Sequence, residues 1–379
     1  MPSCGPSEQV DQECPRQQMR ERMNGKEIWA LYLPQFYETK ENNEWWGEGF
    51  TEWTNVKKAR PLFPGHVQPL VPKDEYYYDL TDVSVMTWQA QLARKYSVSC
   101  FVVYHYWYEG RLLLNLPIEN LLKHPEIDFQ FCFCWANHSW TRAWDGKNHE
   151  ILVEQTYGGI EEWEEHLQYL LPFFRDKRYR KINNMPVLFV YNASTLQDGN
   201  RRIEYYSRRL KEEGFDGIYI IEYISTFNPR PSLKDSQGVF EDEPNFSDRF
   251  KISPPMKAMR LFHKMTKTMD VQSFDVLWKH ILSNSDTYGN RSIFRGAFGI
   301  WDNSPRKGRN SRVIVGATPG KLRQNLSRLI SSSNRDDDSG IVVFNAWNEW
   351  GEGATLEPTE NYANGFLEAI RDALLTNHC

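Results

Sequence analysis

The chain has 379 residues, 40% of them hydrophobic, with 45 Lys and Arg against 50 Asp and Glu and a formal net charge of −5. Such a length admits two ordinary domains or one long barrel, and the apolar share supports a globular core. Without a basic excess to meet phosphates, nucleic acid is excluded as a main partner, and without an apolar run of about 18 residues no integral membrane segment is expected.

Residues 1–25 contain no apolar h-region. They read as a flexible N-terminal tail rather than a signal peptide, and a cytoplasmic location is expected. The six cysteines fit a reducing compartment. Cys132 and Cys134 point to one face of a strand, where neighbours bridge poorly; Cys100 opens another apolar run, and Cys4, Cys14 and Cys379 lie near the termini. No CxxC pair or metal-spaced cluster appears, so neither a metal nor another cofactor is expected.

From residue 26 onward, short apolar strands alternate with amphipathic helices. "IWALYLPQF" (28–36) is the first strand, followed by a long aromatic loop and a helix over 80–96 whose apolar side holds Val85, Met86, Ala90, Leu92 and Ala93. "CFVVYHYWY" (100–108) and "FQFCFCWAN" (129–137) are the second and third strands, and a helix around "EEWEEHLQYLLPFF" follows the latter. "PVLFVYN" (186–192) precedes the basic helix "GNRRIEYYSRRLKEEG", whose charges read as a solvated face. "GIYIIEYI" (217–224) is fifth, and the weaker "GVFEDEP" (238–244) sixth. "IFRGAFGIW" (293–301) is seventh, with a helix starting at Thr318 and Pro319. "GIVVFNAW" (340–347) is eighth, and "NYANGFLEAIRDALL" closes the chain as a helix.

Eight alternating units predict an α/β fold: a single (β/α)8 TIM barrel over 26–379 with long βα loops. A doubly wound sheet is disfavoured, because the first strand runs into "LPQFYETKENNEWW" with no GxGxxG. Such barrels carry their chemistry at the C-terminal strand ends. There this sequence turns aromatic and polar: Tyr32 and Gln35 with Glu52 and Trp53 in the first loop, then Tyr104, His105 and Trp107, then Trp135, Asn137 and Trp140. Trp301 and Asp302 follow strand seven, and Asn348, Glu349, Trp350 and Glu352 follow strand eight. These positions outline one aromatic-walled polar pocket suited to an oligo- or polysaccharide, whose rings and hydroxyls offer both kinds of contact.

The stretches "ALYLPQF", "WWGEGFTEWTNVKKARPLFPGH", "YHYWY", "FCWANHSWTRAWDG", "WDNSPR" and "NEWGEGATLEP" resemble the WbsX-like proteins of cell-surface polysaccharide gene clusters, whose domain is similar to glycoside hydrolase family 99. The resemblance runs from about 27 to 375 and implies a barrel acting on glycosides. In that hydrolase family a Glu-Trp-His-Glu-Gly pattern carries both catalytic acids. Here "EWGEG" supplies Glu349 and Glu352 at the same spacing, with Gly351 where the hydrolases have His. The resemblance implies Glu352 as acid/base and Glu349 as the base that takes a proton from the sugar's 2-hydroxyl, through an anhydro-sugar and with net retention. The residues themselves leave open a direct carboxylate nucleophile or an inverting water, because sequence spacing does not fix the distance between oxygens.

Two other classes stay in view. A glycosyltransferase of lipopolysaccharide O-antigen or capsule assembly fits the resemblance, although "NRDDDSG" (334–340) precedes strand eight, on the wrong face for a metal and a nucleotide diphosphate, and reads as a solvated acidic loop. A carbohydrate-binding barrel without catalysis is the other. His105 has no second His at ligand spacing and no HExxH occurs, so a zinc site is not expected.

Overall fold

The computed structural model describes residues 25–142, 147–225, 228–250, 261, 268–332 and 338–376. Most of the expected N-terminal tail, Cys4, Cys14, Cys379 and most of the 334–340 stretch lie outside the described residues. Eight apolar runs form β1 Glu27–Tyr32, β2 Val98–Tyr108, β3 Gln130–Trp135, β4 Met185–Val190, β5 Tyr219–Ile224, β6 Gly238–Glu241, β7 Ser292–Ala297 and β8 Asp338–Phe344. All eight expected strands are present, the weak sixth included. β6 pairs in parallel with both neighbours, Phe240 lying opposite Tyr223 on one side and Phe294 on the other.

β1 pairs in parallel with β8 and with β2, so the sheet closes on itself. Closure makes this a (β/α)8 TIM barrel, in which each of the eight barrel strands is paired on both sides. The helices used below are α1 Lys40–Trp46, α2 Glu52–Lys58, α3 Val83–Lys95, α4 Leu116–Lys123, α5 Ile160–Arg175, α6 Gly199–Glu212, α7 Asn245–Phe250, α8 Phe274–Leu282, α9 Ser304–Lys307, α10 Pro319–Ser332 and α11 Gly365–Thr376.

Rings fill the lumen. Trp29 of β1 lies 6.3 Å from Phe189 of β4 and 5.9 Å from Phe294 of β7, and Phe189 lies 5.9 Å from Phe240 of β6. Side chains from four separate strands can meet like this only across the barrel interior. Alternation along each strand sends the intervening residues outward to the helices. Cys100, Cys132 and Cys134 are buried free thiols.

Two charged stretches are less solvated than their composition suggests. Arg202 of α6 is 1% exposed and pairs with Glu162 of α5 at 2.8 Å. The basic helix therefore turns one arginine inward, because a buried carboxylate needs a cation. Asp338, the described acid of the 334–340 stretch, has a buried side chain 3.6 Å from Arg295. No helix among the described residues is long and apolar enough to cross a membrane.

Candidate active site

After β8 the chain makes a tight antiparallel loop in which Asn348 pairs with Thr355 and Glu349 with Ala354. A 3-10 turn over Trp350–Glu352 joins the two sides, and Gly353 closes it at φ +57. A Cβ on Gly353 would also lie 2.8 Å from the Asp302 carbonyl oxygen, so both the backbone angle and the space require glycine. The turn puts Glu349 and Glu352 on one side of the loop, at the C-terminal end of the barrel.

Both glutamates meet one arginine. Arg306 Nη2 donates to Glu349 at 2.9 Å, Nη1 to Glu352 at 2.7 Å, and Nε to Glu52 at 2.9 Å. Arg306 lies in α9, just after the seventh strand's loop, and Glu52 opens α2 after β1. The nearest oxygens of the pair are therefore separated by no more than two hydrogen bonds and the guanidinium between them. Depth distinguishes them: the Glu349 side chain is 11% exposed and that of Glu352 26%. Burial, with the charges of Glu352 and Glu52 adding to it, pushes the Glu349 carboxyl up to about 8 against the pull of Arg306. Burial likewise raises Glu52.

Gly351 explains how the cluster fits. A Cβ there would stand 1.6 Å from Glu52 Oε1 and 2.8 Å from Arg306 Nε. The space that a side chain would take at this point of the "EWGEG" turn is filled by the Glu52–Arg306 ion pair.

Beneath the pair lie hydroxyls and one more acid. Tyr104 and Tyr106 of β2 point into the lumen, and burial followed by the Glu349 charge raises both phenols. Tyr106 packs on Trp140 at 4.8 Å, and Trp140 on Trp45 at 6.1 Å, which makes an aromatic wall beside Glu349. Asp242, just past β6, accepts from Asn245 at 2.7 Å and Asn345 at 2.8 Å, and burial pushes it up to about 6.

Several expected pocket residues do not join this cluster. His105, Trp107 and Trp135 face the helices: His105 Nε2 lies 2.9 Å from His166 Nε2 of α5, Trp107 donates to Glu162 at 2.6 Å, and Trp135 packs on His166 at 4.8 Å. The reason is the two-residue period of a strand, which sends Tyr104 and Tyr106 inward and His105 and Trp107 outward. Tyr32 also points outward, donating to Gln89 of α3 at 2.8 Å. Asn348 is fully buried, bonded to the backbone of Leu33 at 2.8 and 3.0 Å. Trp350 and Trp53 pack behind the turn, 5.4 Å apart. The Trp350 indole donates to Glu357 at 2.6 Å and the Trp53 indole to the Tyr78 carbonyl at 2.7 Å.

Asn137 braces the ends of β3 and β4 through the Asn192 backbone at 2.7 and 2.8 Å. Trp301 and Asp302 belong to a small separate sheet, where Trp301 pairs with Ile314 and Asp302 with Val313. They line a side cavity of about 190 Å³, and the Asp302 carboxylate is held by His66 at 2.7 Å and Gln68 at 2.5 Å. Gln35 is fully buried with neither amide atom hydrogen-bonded. Of the expected set, Glu349, Glu352, Glu52, Tyr104 and Trp140 gather here. Arg306, Tyr106 and Asp242 complete the group. Arg306 lies inside "WDNSPR", Tyr106 inside "YHYWY" and Asp242 inside the sixth strand's stretch "GVFEDEP", but nothing local to any of them signals its partners.

Among the described residues, no group of three His, Cys, Asp or Glu side chains is placed to hold a metal ion. The family model described as "Glycosyltransferase WbsX" matches residues 28–370. Two proteins named "Uncharacterized protein WxcX", from two strains of Xanthomonas campestris pv. campestris, are 33% and 34% identical to this chain over 349 residues. The match covers 91% of this chain and 49% of each relative, so the chain spans about half the length of these curated relatives. Among solved structures, a "Glycoside hydrolase-like protein" is similar with a TM-score of 0.58 at 12% identity, covering 92% of this chain and 94% of the other. A "GH99 endo-alpha-mannosidase from Bacteroides thetaiotaomicron" has a TM-score of 0.52 at 13% identity, covering 93% and 97%. At such identities the likeness is one of fold.

Proposed function

The chain belongs to the WbsX glycosyltransferase family, and from that premise we propose a carbohydrate-active enzyme that cleaves or transfers glycosidic bonds of a complex polysaccharide with Glu349 and Glu352. One observation carries this reading: two carboxyls of unequal depth converge on a single guanidinium at the catalytic end of the barrel. Glycoside cleavage needs such a pair, one to protonate the departing oxygen and one to generate or assist the nucleophile.

Glu349 is the base and Glu352 the acid. The deeper Glu349, pushed up to about 8, rests protonated at neutral pH and serves as base only once its proton has passed to Glu352; the carboxylate then left is a better match than an ordinary one for a weakly acidic sugar hydroxyl. Glu352, more open to solvent, stands toward the departing group, gives it a proton, and as the resulting carboxylate takes a proton back from the attacking water or acceptor sugar. An acceptor sugar in place of water turns the same chemistry into transfer, as the family's description suggests. A nucleotide-sugar donor suits the site less well. Its diphosphate would meet Glu349, Glu352 and Asp242 with Arg306 already engaged, and like charge disfavours that approach.

The test is incubation with bacterial and algal polysaccharides and, separately, with a nucleotide-sugar panel, followed by analysis of released or extended glycans. Glu352→Gln is expected to hurt most on poor leaving groups and to keep partial activity on a nitrophenyl glycoside. Glu349→Gln is expected to lower turnover of both by roughly 10²–10⁴-fold. Normal cleavage of a 2-deoxy substrate would rule out the 2-hydroxyl route, and extension from a nucleotide sugar alone would overturn the polysaccharide assignment.

A further inference from the structure

Three carboxylates share one guanidinium, and the charges do not balance. If Glu52, Glu349 and Glu352 were all ionised, Arg306 would leave two negative charges uncompensated in a cluster where the Arg306 side chain is 7% exposed and that of Glu52 is 0% exposed. At such depth charges interact far more strongly than in water, so the cluster holds protons rather than bare charge. Glu52 is the member with no route to a substrate. It is sealed beneath Gly351, where even a methyl group would stand 1.6 Å from its Oε1. Its Oε2 is buried without a hydrogen-bond partner, so Arg306 Nε provides the hydrogen bond that fixes this carboxylate.

We propose that Arg306, held and neutralised by Glu52, is a positioning residue that makes the Glu349–Glu352 pair share a single proton, so that one enters the reaction as base and the other as acid. This rests on reading the pair as acid and base. Glu52 and Arg306 cancel each other, and the pair keeps one negative charge and one proton between its two carboxyls. The clamp also defines the resting state. Substrate must take Arg306's place at Glu349 and Glu352, and the unpaired Glu52 Oε2 is the acceptor toward which the guanidinium can turn when it leaves them. Gly351 is part of the device, because any side chain there would push Glu52 away from Arg306.

The protonation state can be read without any substrate. In protein labelled with 13C at the glutamate carboxyl carbons, the Glu349 signal is assigned by its loss in Glu349→Gln and followed through pH. In the wild type its midpoint is expected near 8. Glu52→Gln removes a competing negative charge and leaves the arginine to the pair, so the midpoint falls by about one unit or more. Arg306→Gln removes the cation and raises it by a similar amount. Circular dichroism checks that each variant is folded. Should Arg306→Gln not fold, the isosteric Glu52→Gln carries the test alone. An unmoved midpoint in folded Glu52→Gln overturns the proposal. On any glycoside that is turned over, the acid limb of kcat/KM is expected to move with the midpoint. Shifted midpoints in a protein that turns over no glycoside would sink the proposed reaction and leave the proton sharing standing; intact turnover with unmoved midpoints would do the reverse.

Discussion

Asn348 offers a measure of how firmly the turn that carries Glu349 and Glu352 is anchored. Its side-chain oxygen accepts the Leu33 N–H at 2.8 Å and its amide nitrogen donates to the Leu33 carbonyl at 3.0 Å, across 315 residues of sequence. One side chain thus imitates a strand neighbour, pinning the loop after β1 to the residue just before Glu349. Asn348→Ala leaves both Leu33 groups unpaired where Leu33 is 3% exposed. Each buried orphan costs about 1–3 kcal/mol, so the expected loss is ~4 kcal/mol. For 379 residues a specific unfolding entropy of about 2.1 cal/mol/K per residue gives ~0.8 kcal/mol/K, and Tm falls by ~5 °C. Asn348→Asp keeps the volume and the acceptor but faces a carboxylate oxygen to the Leu33 carbonyl, so it is expected to cost a comparable amount. Urea unfolding and calorimetry of the two variants measure this, with turnover followed in parallel. If Asn348→Asp lies within about 0.5 kcal/mol of wild type while Asn348→Ala does not, lost volume and not hydrogen bonding explains the site, and the anchoring argument fails.

Acid unfolding tests the outward histidine. Burial lowers His105 from 6.5 to about 3, so it folds as the neutral ring; its stabilising share is full above pH 6.5 and is lost as pH falls toward 3. At about 1.36 kcal/mol per unit the loss approaches ~5 kcal/mol, and His105→Gln, which does not titrate, is expected to flatten the stability curve between pH 6.5 and 3. Equal slopes in the two proteins would contradict this. Gly353→Ala is expected to lose ~2–4 kcal/mol together with activity, because the added Cβ meets the Asp302 backbone, which cannot swing away as a side chain can; urea unfolding beside a turnover assay checks both. Activity is expected to survive a chelator, and a loss restored by manganese or magnesium would favour the nucleotide-sugar transferase instead.

The barrel was legible because each of its strands is an apolar run between turns and helices, and a parallel closed sheet buries both strand faces. That same double burial hid the directions of the side chains. In "VVYHYWY" neither face is polar enough to mark the lumen, so His105 and Trp107 looked as available to a ligand as Tyr104 and Tyr106. The glutamate pair was visible from spacing and from its place after the last strand. Arg306 was not, since its partner Glu52 stands 254 residues away and no periodicity links the two. Asn348 and Trp350 read as ligand contacts because polar and aromatic residues beside an acid suit a pocket; in the fold their hydrogen bonds are spent holding the turn in shape.

The order in which the site's parts appear along the chain has a consequence for its birth. Glu52 follows the first strand, Arg306 the seventh, and Glu349 and Glu352 the eighth. Synthesis at roughly 5–20 residues per second takes roughly 10–50 s to cover the 254 residues between Glu52 and Arg306. For that interval a carboxylate destined for complete burial has no cation, and β1 has neither of its final neighbours until β2 arrives and only one of them until β8 does. Under the proposed reaction a nascent chain is chemically silent toward glycosides until the loop after β8 has left the ribosome, and the step that seals the barrel is also the one that assembles the carboxyl cluster.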